Sequence, residues 1–146
     1  MKIYPFFIYV SETKIRVRYS ETDQMGYVYY GNYPAYYEVG RAEAMRELGM
    51  TYRQMEERGV MMPIASMHLK YIRPAYYDDL LIIRTIVKDF PGSRMHFYYE
   101  VYNENKKLIN QGETVLAFVD IKTGRPCPAP GWFQKALKEK WPADEK

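Results

Sequence analysis

Cysteine and histidine are nearly missing from this chain of 146 residues: it has one thiol, Cys127, and two imidazoles, His68 and His96. One cysteine forbids an internal disulfide and fits a reducing compartment, so a cytoplasmic protein is expected. It lies in "RPCPAP", with no histidine close in sequence to activate it, which argues against a catalytic thiol. Both histidines fall in strand-like segments and read as sheet or interface residues, so neither a metal site nor a cofactor is expected. Charge of one sign is also scarce. Lys and Arg number 21 against 18 Asp and Glu, a net charge of +3. That is far from the basic footprint of a nucleic-acid binder. No apolar run reaches the length of a membrane span. The opening "MKIYPFFIYVSETK" is interrupted by Pro5 and lacks the cleavage pattern of a signal peptide. Repeats and low-complexity tracts are missing. So are G-x-S-x-G, H-E-x-x-H, paired C-x-x-C and a glycine-rich phosphate loop, which sets aside the mechanisms those motifs serve.

Tyrosine, in contrast, is abundant: 16 residues, against 6 Phe and 2 Trp. An apolar ring with a polar tip suits half-wet pockets and subunit contacts, and equally the edges of a sheet core. The length is that of one domain, expected to run over 1–146 with a core of about 12–130 and a tail over 131–146.

"KIRVRY", residues 14–19, alternates, and predicts a strand with Ile15, Val17 and Tyr19 on one face and Lys14, Arg16 and Arg18 on the other. A helix follows, with Asn32 as N-cap and Pro34 near its first position. Small or apolar residues cover much of its circumference, which predicts burial on more than one side. Gly49 stops it. Thr51 and Gln54 form the capping box of a second, short helix that Gly59 closes. Then the period changes. "VMMPIASMHLKYI", "LLIIRTIVKDF", "RMHFYYEVY" and "KLINQGETVLAFVD" predict four strands joined by short turns, with Gly112 as a bulge or close-packing point. "GWFQKALKEKW" predicts a tail helix. The order gives an α+β domain, one antiparallel sheet with a long helix against one face.

Chemistry concentrates in "YSETDQMGYVYYGNYP", residues 19–34. Asp23 stands a few residues before a helix N-terminus, where unpaired N–H groups and the positive dipole end can hold an oxyanion. Gly26 and Gly31 permit close backbone approach to a ligand, and Tyr27, Tyr29, Tyr30 and Tyr33 can wall a pocket. A carboxylate beside preformed donors can attack a carbonyl or activate water to do so. The same Asp could equally make a simple Asx-turn.

The run "RVRYSETDQMGYVYYGNYPAYYEVGRAEAM", with Asp-x-x-Gly, Asn-Tyr and Glu-x-x-Arg (Glu38, Arg41) in that order, resembles the opening of the 4-hydroxybenzoyl-CoA thioesterase family, especially its YbgC-like acyl-CoA thioesterase branch. "YIRPAYYDDLL", "FPGSRMHFYYEV" and "GRPCPAP" agree in order, so the resemblance covers roughly residues 12 to 130. It implies a hotdog fold, a five-stranded antiparallel sheet wrapped around a long central helix. It also implies homo-oligomers, dimers or tetramers, with active sites between subunits, and hydrolysis of an acyl-CoA thioester to free acid and CoA. By the resemblance Asp23 is the catalytic carboxylate, as nucleophile or general base, and Tyr30 supplies the backbone N–H that polarises the carbonyl. Tyr19 matches a motif tyrosine near the site, and Gly31 lies beside the substrate. Ser93 and Arg94 fall in the hairpin that meets the nucleotide part of CoA. Many YbgC-like members carry His where this chain has Tyr30, so here only the backbone amide can assist. Glu38 and Arg41, three apart on the helix, are expected to pair as structural support. Two other readings compete. One is a non-catalytic hotdog module binding acyl-CoA or a protein partner. The other is hydration or dehydration of an enoyl thioester, which wants a catalytic histidine at the helix entrance, where neither His68 nor His96 lies. Acyl carrier protein could replace CoA as the thiol carrier.

Overall fold

A computed structural model describes residues 9–140; the apolar N-terminal run before Tyr9 lies outside them, as does Trp141. Among the described residues seven strands, β1 (Tyr9–Arg16), β2 (Val60–Met61), β3 (Ile64–Tyr71), β4 (Leu80–Val87), β5 (Arg94–Tyr102), β6 (Leu108–Asp120) and β7 (Pro126–Cys127), form the sheet. Helix α1 (Tyr33–Glu47) and the short α2 (Tyr52–Glu57) precede β2, and α3 (Gly131–Lys140) closes the described chain. The five long strands lie in the order β1–β4–β5–β6–β3, every pair antiparallel. β2 and β7 add two-residue pairings to the far end of β6.

The alternation expected of the strands is present. Met95, Phe97, Tyr99 and Val101 of β5 are buried on the inner face of the sheet, and the register places them opposite Leu116, Thr114, Gly112 and Asn110 of β6. Helix α1 lays Tyr33, Tyr36, Tyr37, Gly40, Arg41, Ala44 and Met45 on this face. Tyr37 stacks on Tyr99 with ring centroids 4.2 Å apart, and its hydroxyl donates to the buried Asn110 side chain. Such a stack adds about 0.5–1.5 kcal/mol to simple area burial. Gly112 is a close-packing point rather than a bulge: a Cβ there would lie 2.5 Å from the Tyr37 hydroxyl and 2.7 Å from the His68 carbonyl oxygen. The irregularities in register fall instead between Ile64 and Ser66 and between Val101 and Tyr102.

Several boundaries differ from the sequence reading. The first strand runs over 9–16 rather than 14–19, because the polar "SETK" pairs continuously with β4 from Tyr9↔Val87 to Arg16↔Leu80. Ser11, Thr13 and Ile15 continue the inner face, and Tyr19, 78% exposed, leaves the strand in a turn of 3-10 helix, Tyr19–Glu21. The segment from Val60 splits into β2 and β3 at Pro63, which has no N–H to donate to a ladder. β7 forms in the proline-rich closing segment, where no strand was expected. The Thr51–Gln54 capping box is present in full. Helix α1 buries one face and leaves Ala35, Glu38 and Val39 exposed, so a single chain does not surround it. Glu38 and Arg41 do not pair: Glu38 faces outward, while Arg41, 7% exposed, points inward near the Tyr52 and Tyr99 hydroxyls.

Candidate active site

Between β1 and α1 the chain folds into a compact loop held from several sides. The Asp23 N–H donates to the Tyr27 carbonyl and the Gly26 N–H to the Asp23 carbonyl, both at 3.0 Å. Gly26 closes this turn with φ of 85°, a left-handed conformation that other residues adopt at a cost. The loop is pinned to the segment after β3 by Val28 N–H to Ala75 C=O at 2.8 Å and by a bridge between Tyr27 and Tyr76.

Glu21 is the anchor. Its carbonyl accepts from the Tyr29 N–H at 2.9 Å and from Asn32 Nδ2 at 2.8 Å. Its carboxylate accepts from the Arg18 N–H at 2.8 Å, from the Arg18 guanidinium at 3.0 Å and from the Tyr36 hydroxyl at 3.0 Å. Burial alone would raise its pKa, but these donors outweigh burial and hold the carboxyl below its ordinary value. One residue thus joins strand end, loop and first helical turn. Sequence reasoning passed over it, although Glu21 lies three residues after Arg18, the spacing at which a carboxylate reaches back to the N-cap amide.

The loop and the residues after β3 enclose a cleft of about 390 Å³, lined by Asp23, Met25, Tyr27, Val28, Tyr30, Tyr33, Tyr71, Ile72, Arg73 and Pro74. That volume lies within the range of small-molecule sites. Asp23 is its single carboxylate among the described residues. Oδ1 accepts from the Met25 N–H at 2.9 Å, an Asx-turn, and Oδ2 has no hydrogen-bond partner among the described residues. The Asx-turn thus occupies one oxygen of Asp23 and leaves the other available, so the turn does not exclude a role in the site. Burial, then the nearby Tyr71 and Asp79, pushes the Tyr33 hydroxyl up to about 12. Tyr71 is also raised, by burial and then by Tyr30. These phenols stay protonated at neutral pH, which leaves base chemistry in the cleft to Asp23.

A turn of 3-10 helix, Tyr30–Asn32, leads into α1. The amides of Tyr30 and Gly31 donate to no acceptor among the described residues, as expected of the first N–H groups of a helix. Asn32 occupies the N-cap, but its side chain reaches back to Glu21 rather than capping α1. Cleft residues Tyr71 and Arg73 were not singled out from the sequence. The visible signal was the dense "YIRPAYY", where Pro74 enforces an extended path. Tyr19 lies outside the cleft lining, edge-on to Tyr77 at 5.7 Å. Ser93 and Arg94 are exposed at the far end of β5. The register aligns Tyr71 with Asn110 and Val101, so Arg94 lies seven residues, roughly 23 Å, along the strand from the cleft. Within one chain these two residues do not meet Asp23.

An antiparallel sheet laid over one long helix, with a carboxylate loop at the helix entrance, is the architecture of hotdog thioesterases. The DHNA-CoA thioesterase of Staphylococcus aureus superposes with a TM-score of 0.83 at 31% identity, covering 90% of each chain. A 4-hydroxybenzoyl-CoA thioesterase shares the fold, with a TM-score of 0.79 at 20% identity over 88% of this chain and 98% of that one. Among curated proteins, the acyl-CoA thioester hydrolase YbgC of Escherichia coli O6:H1 is 30% identical, over 80% of this chain and 87% of its own. YneP of Bacillus subtilis (strain 168), a candidate acyl-CoA thioesterase, is 34% identical over 95% of this chain and 98% of its own. The sequence profile of the thioesterase-like superfamily matches residues 17–137, and the chain belongs to that family.

Proposed function

We propose that this thioester hydrolase cleaves coenzyme A thioesters in the cleft beside Asp23. The observation that carries the reading is the placement of one carboxylate, with an oxygen that has no partner among the described residues, in a phenol-walled cleft that Tyr30, at the start of the helix and with an unpaired amide, helps to line. Acting as base, Asp23 takes a proton from water as the water oxygen bonds to the thioester carbon. The carbonyl oxygen, gaining charge, accepts from the Tyr30 N–H, and the C–S bond then breaks with the proton returned to sulfur. Acting as nucleophile, the Asp23 carboxylate displaces the CoA thiolate to give an anhydride that water hydrolyses. Either route suits a sulfur leaving group, which needs no further acid to depart. Arg73 at the cleft supplies a cation for an anionic part of the substrate or for the acid product.

The same reading takes residues 1–146 as one domain of a cytoplasmic homo-oligomer, dimer or tetramer. In support, among the described residues β3 pairs with β6 alone, while α1 leaves Ala35 and Val39 uncovered. A second copy added there would bring its own residues to the cleft, including a route for Ser93 and Arg94 to contact the CoA phosphates and for Tyr19 to touch substrate. Sedimentation of the purified protein measures the assembly. The central test is free-thiol release from a panel of aromatic and aliphatic acyl-CoAs by the native protein and Asp23→Asn. Asn keeps the Asx-turn but cannot serve as base, so a loss of about 100-fold or more is expected. Equal turnover by both would reduce Asp23 to its turn. A folded native protein that releases no thiol would favour the non-catalytic acyl-CoA-binding alternative.

A further inference from the structure

Tyr71 has a contact that neither strand geometry nor core packing requires. It is the last residue of β3 and shares the inner face with Asn110, yet it remains 52% exposed. Its ring meets Tyr30 edge-on at 6.3 Å and Tyr33 edge-on at 5.7 Å. From this position its hydroxyl donates to the Tyr30 carbonyl oxygen at 3.1 Å. A trans peptide is a rigid plane with its C=O and N–H on opposite edges. The carbonyl that Tyr71 holds therefore belongs to the same plane as the Gly31 N–H, and that N–H has no acceptor among the described residues.

We infer that Tyr71 is a positioning residue for the reaction: by holding the Tyr30 carbonyl, its hydroxyl orients and polarises the Gly31 N–H as a second donor to the thioester oxyanion, beside the Tyr30 N–H. This rests on the thioesterase reading of the cleft. The physical need is specific to residue 31. Glycine leaves room there, since a Cβ would lie 2.6 Å from the Tyr29 ring and that ring would have to shift. Glycine also leaves the peptide before it the freest to rotate. A hydrogen bond at the far edge of the plane removes that freedom and draws electron density towards the carbonyl, strengthening the donor by about 10–30% on condensed-phase estimates. Helix geometry sends the leading N–H groups back towards the N-terminal end, where the Asp23 loop stands. Arg73 Nη1 donates to the Leu108 carbonyl at 3.0 Å and the Asn32 side chain to the Glu21 carbonyl, so neither of these groups holds the Tyr30 carbonyl. Tyr71 is thus the side chain that controls this plane. It stands at the end of β3, which pairs with β6 alone among the described residues.

Tyr71→Phe keeps the ring and both edge contacts and removes that hydroxyl alone. Two readouts test the inference. The first is steady-state hydrolysis of the best acyl-CoA of the panel: kcat falls about tenfold with KM within twofold, less than the 10²–10³ that outright loss of an oxyanion donor costs. The second does not depend on turnover. Tyr30–Gly31 is the single Tyr–Gly peptide in the sequence, so carbonyl-¹³C tyrosine with ¹⁵N glycine selects one amide. In Tyr71→Phe its ¹⁵N resonance moves upfield further than that of any other glycine. An unmoved Gly31 resonance, or a kcat retained within twofold, overturns the inference. If the native protein hydrolyses no thioester while the resonance moves, the thioesterase reading fails and the hold on the amide plane stands.

Discussion

Replacing Glu21 by Gln tests the physical support of the site without touching the cleft. The carboxylate accepts two hydrogen bonds at Oε1, from the Arg18 N–H and the Tyr36 hydroxyl, and two from the Arg18 guanidinium at Oε2. Gln retains one acceptor oxygen and turns an NH₂ group towards the guanidinium. The ion pair contributes little, since the Arg18 side chain is 76% exposed, and exposed pairs are worth about 0–1 kcal/mol. The bonds to Oε1 fall from charge-assisted to neutral strength, and a bond to a charged group is worth about 1.5–3 kcal/mol against about 1 for a neutral pair. With about 0.5–2 kcal/mol lost at each of the two Oε1 bonds and about 0–1 at the ion pair, the loss at pH 7 is about 1–5 kcal/mol. Because the folded-state pKa lies below the ordinary 4.5, this stabilisation is fully present above that value and disappears as pH falls through the folded pKa. Urea unfolding of native and Glu21→Gln proteins at neutral pH and at stepped values below 4.5 measures the difference. It should be largest at neutral pH and close towards zero in acid. The variant should also lose kcat, since Glu21 joins the Asp23 loop to α1. A neutral-pH difference under about 0.5 kcal/mol, within the range of an ordinary surface substitution, would refute the anchor. So would a difference that persists undiminished in acid while the protein remains folded.

Two further substitutions test the seam between α1 and the sheet. Gly112→Ala places a methyl group against the Tyr37 ring and the His68 carbonyl, and should cost about 1–3 kcal/mol by overpacking, read as a lowered melting temperature; an unchanged melt would mean that the seam is loose. Tyr37→Phe keeps the stack on Tyr99 but strips the buried Asn110 side chain of its donor, at a cost of about 1–3 kcal/mol in urea unfolding. Equal stability in that variant would mean that Asn110 finds another partner.

The sequence by itself determined the local and periodic features. Alternation marked β5, the Asn32–Pro34 start and Gly49 bounded α1, and Thr51 with Gln54 marked α2, because each follows from contacts spanning a few residues. The Asp23 loop was equally legible: a carboxylate, two glycines and a run of tyrosines ahead of a helix start are all local. What stayed hidden depends on pairing at long separation. "SETK" is too polar to read as a strand until β4 is beside it, and Tyr19 continues an alternating pattern that the chain abandons at Val17. Tyr71 and Arg73 joined the cleft only because β6 sets the register of β3 and so fixes where that strand ends, next to a loop some forty residues earlier in the chain. Glu21 and Tyr36, and Gly112 and Tyr37, meet for the same reason. Periodicity states which way a side chain faces. Only the packed sheet and helix decide what it faces, and in this protein that decides which tyrosine holds the amide plane beside the carboxylate.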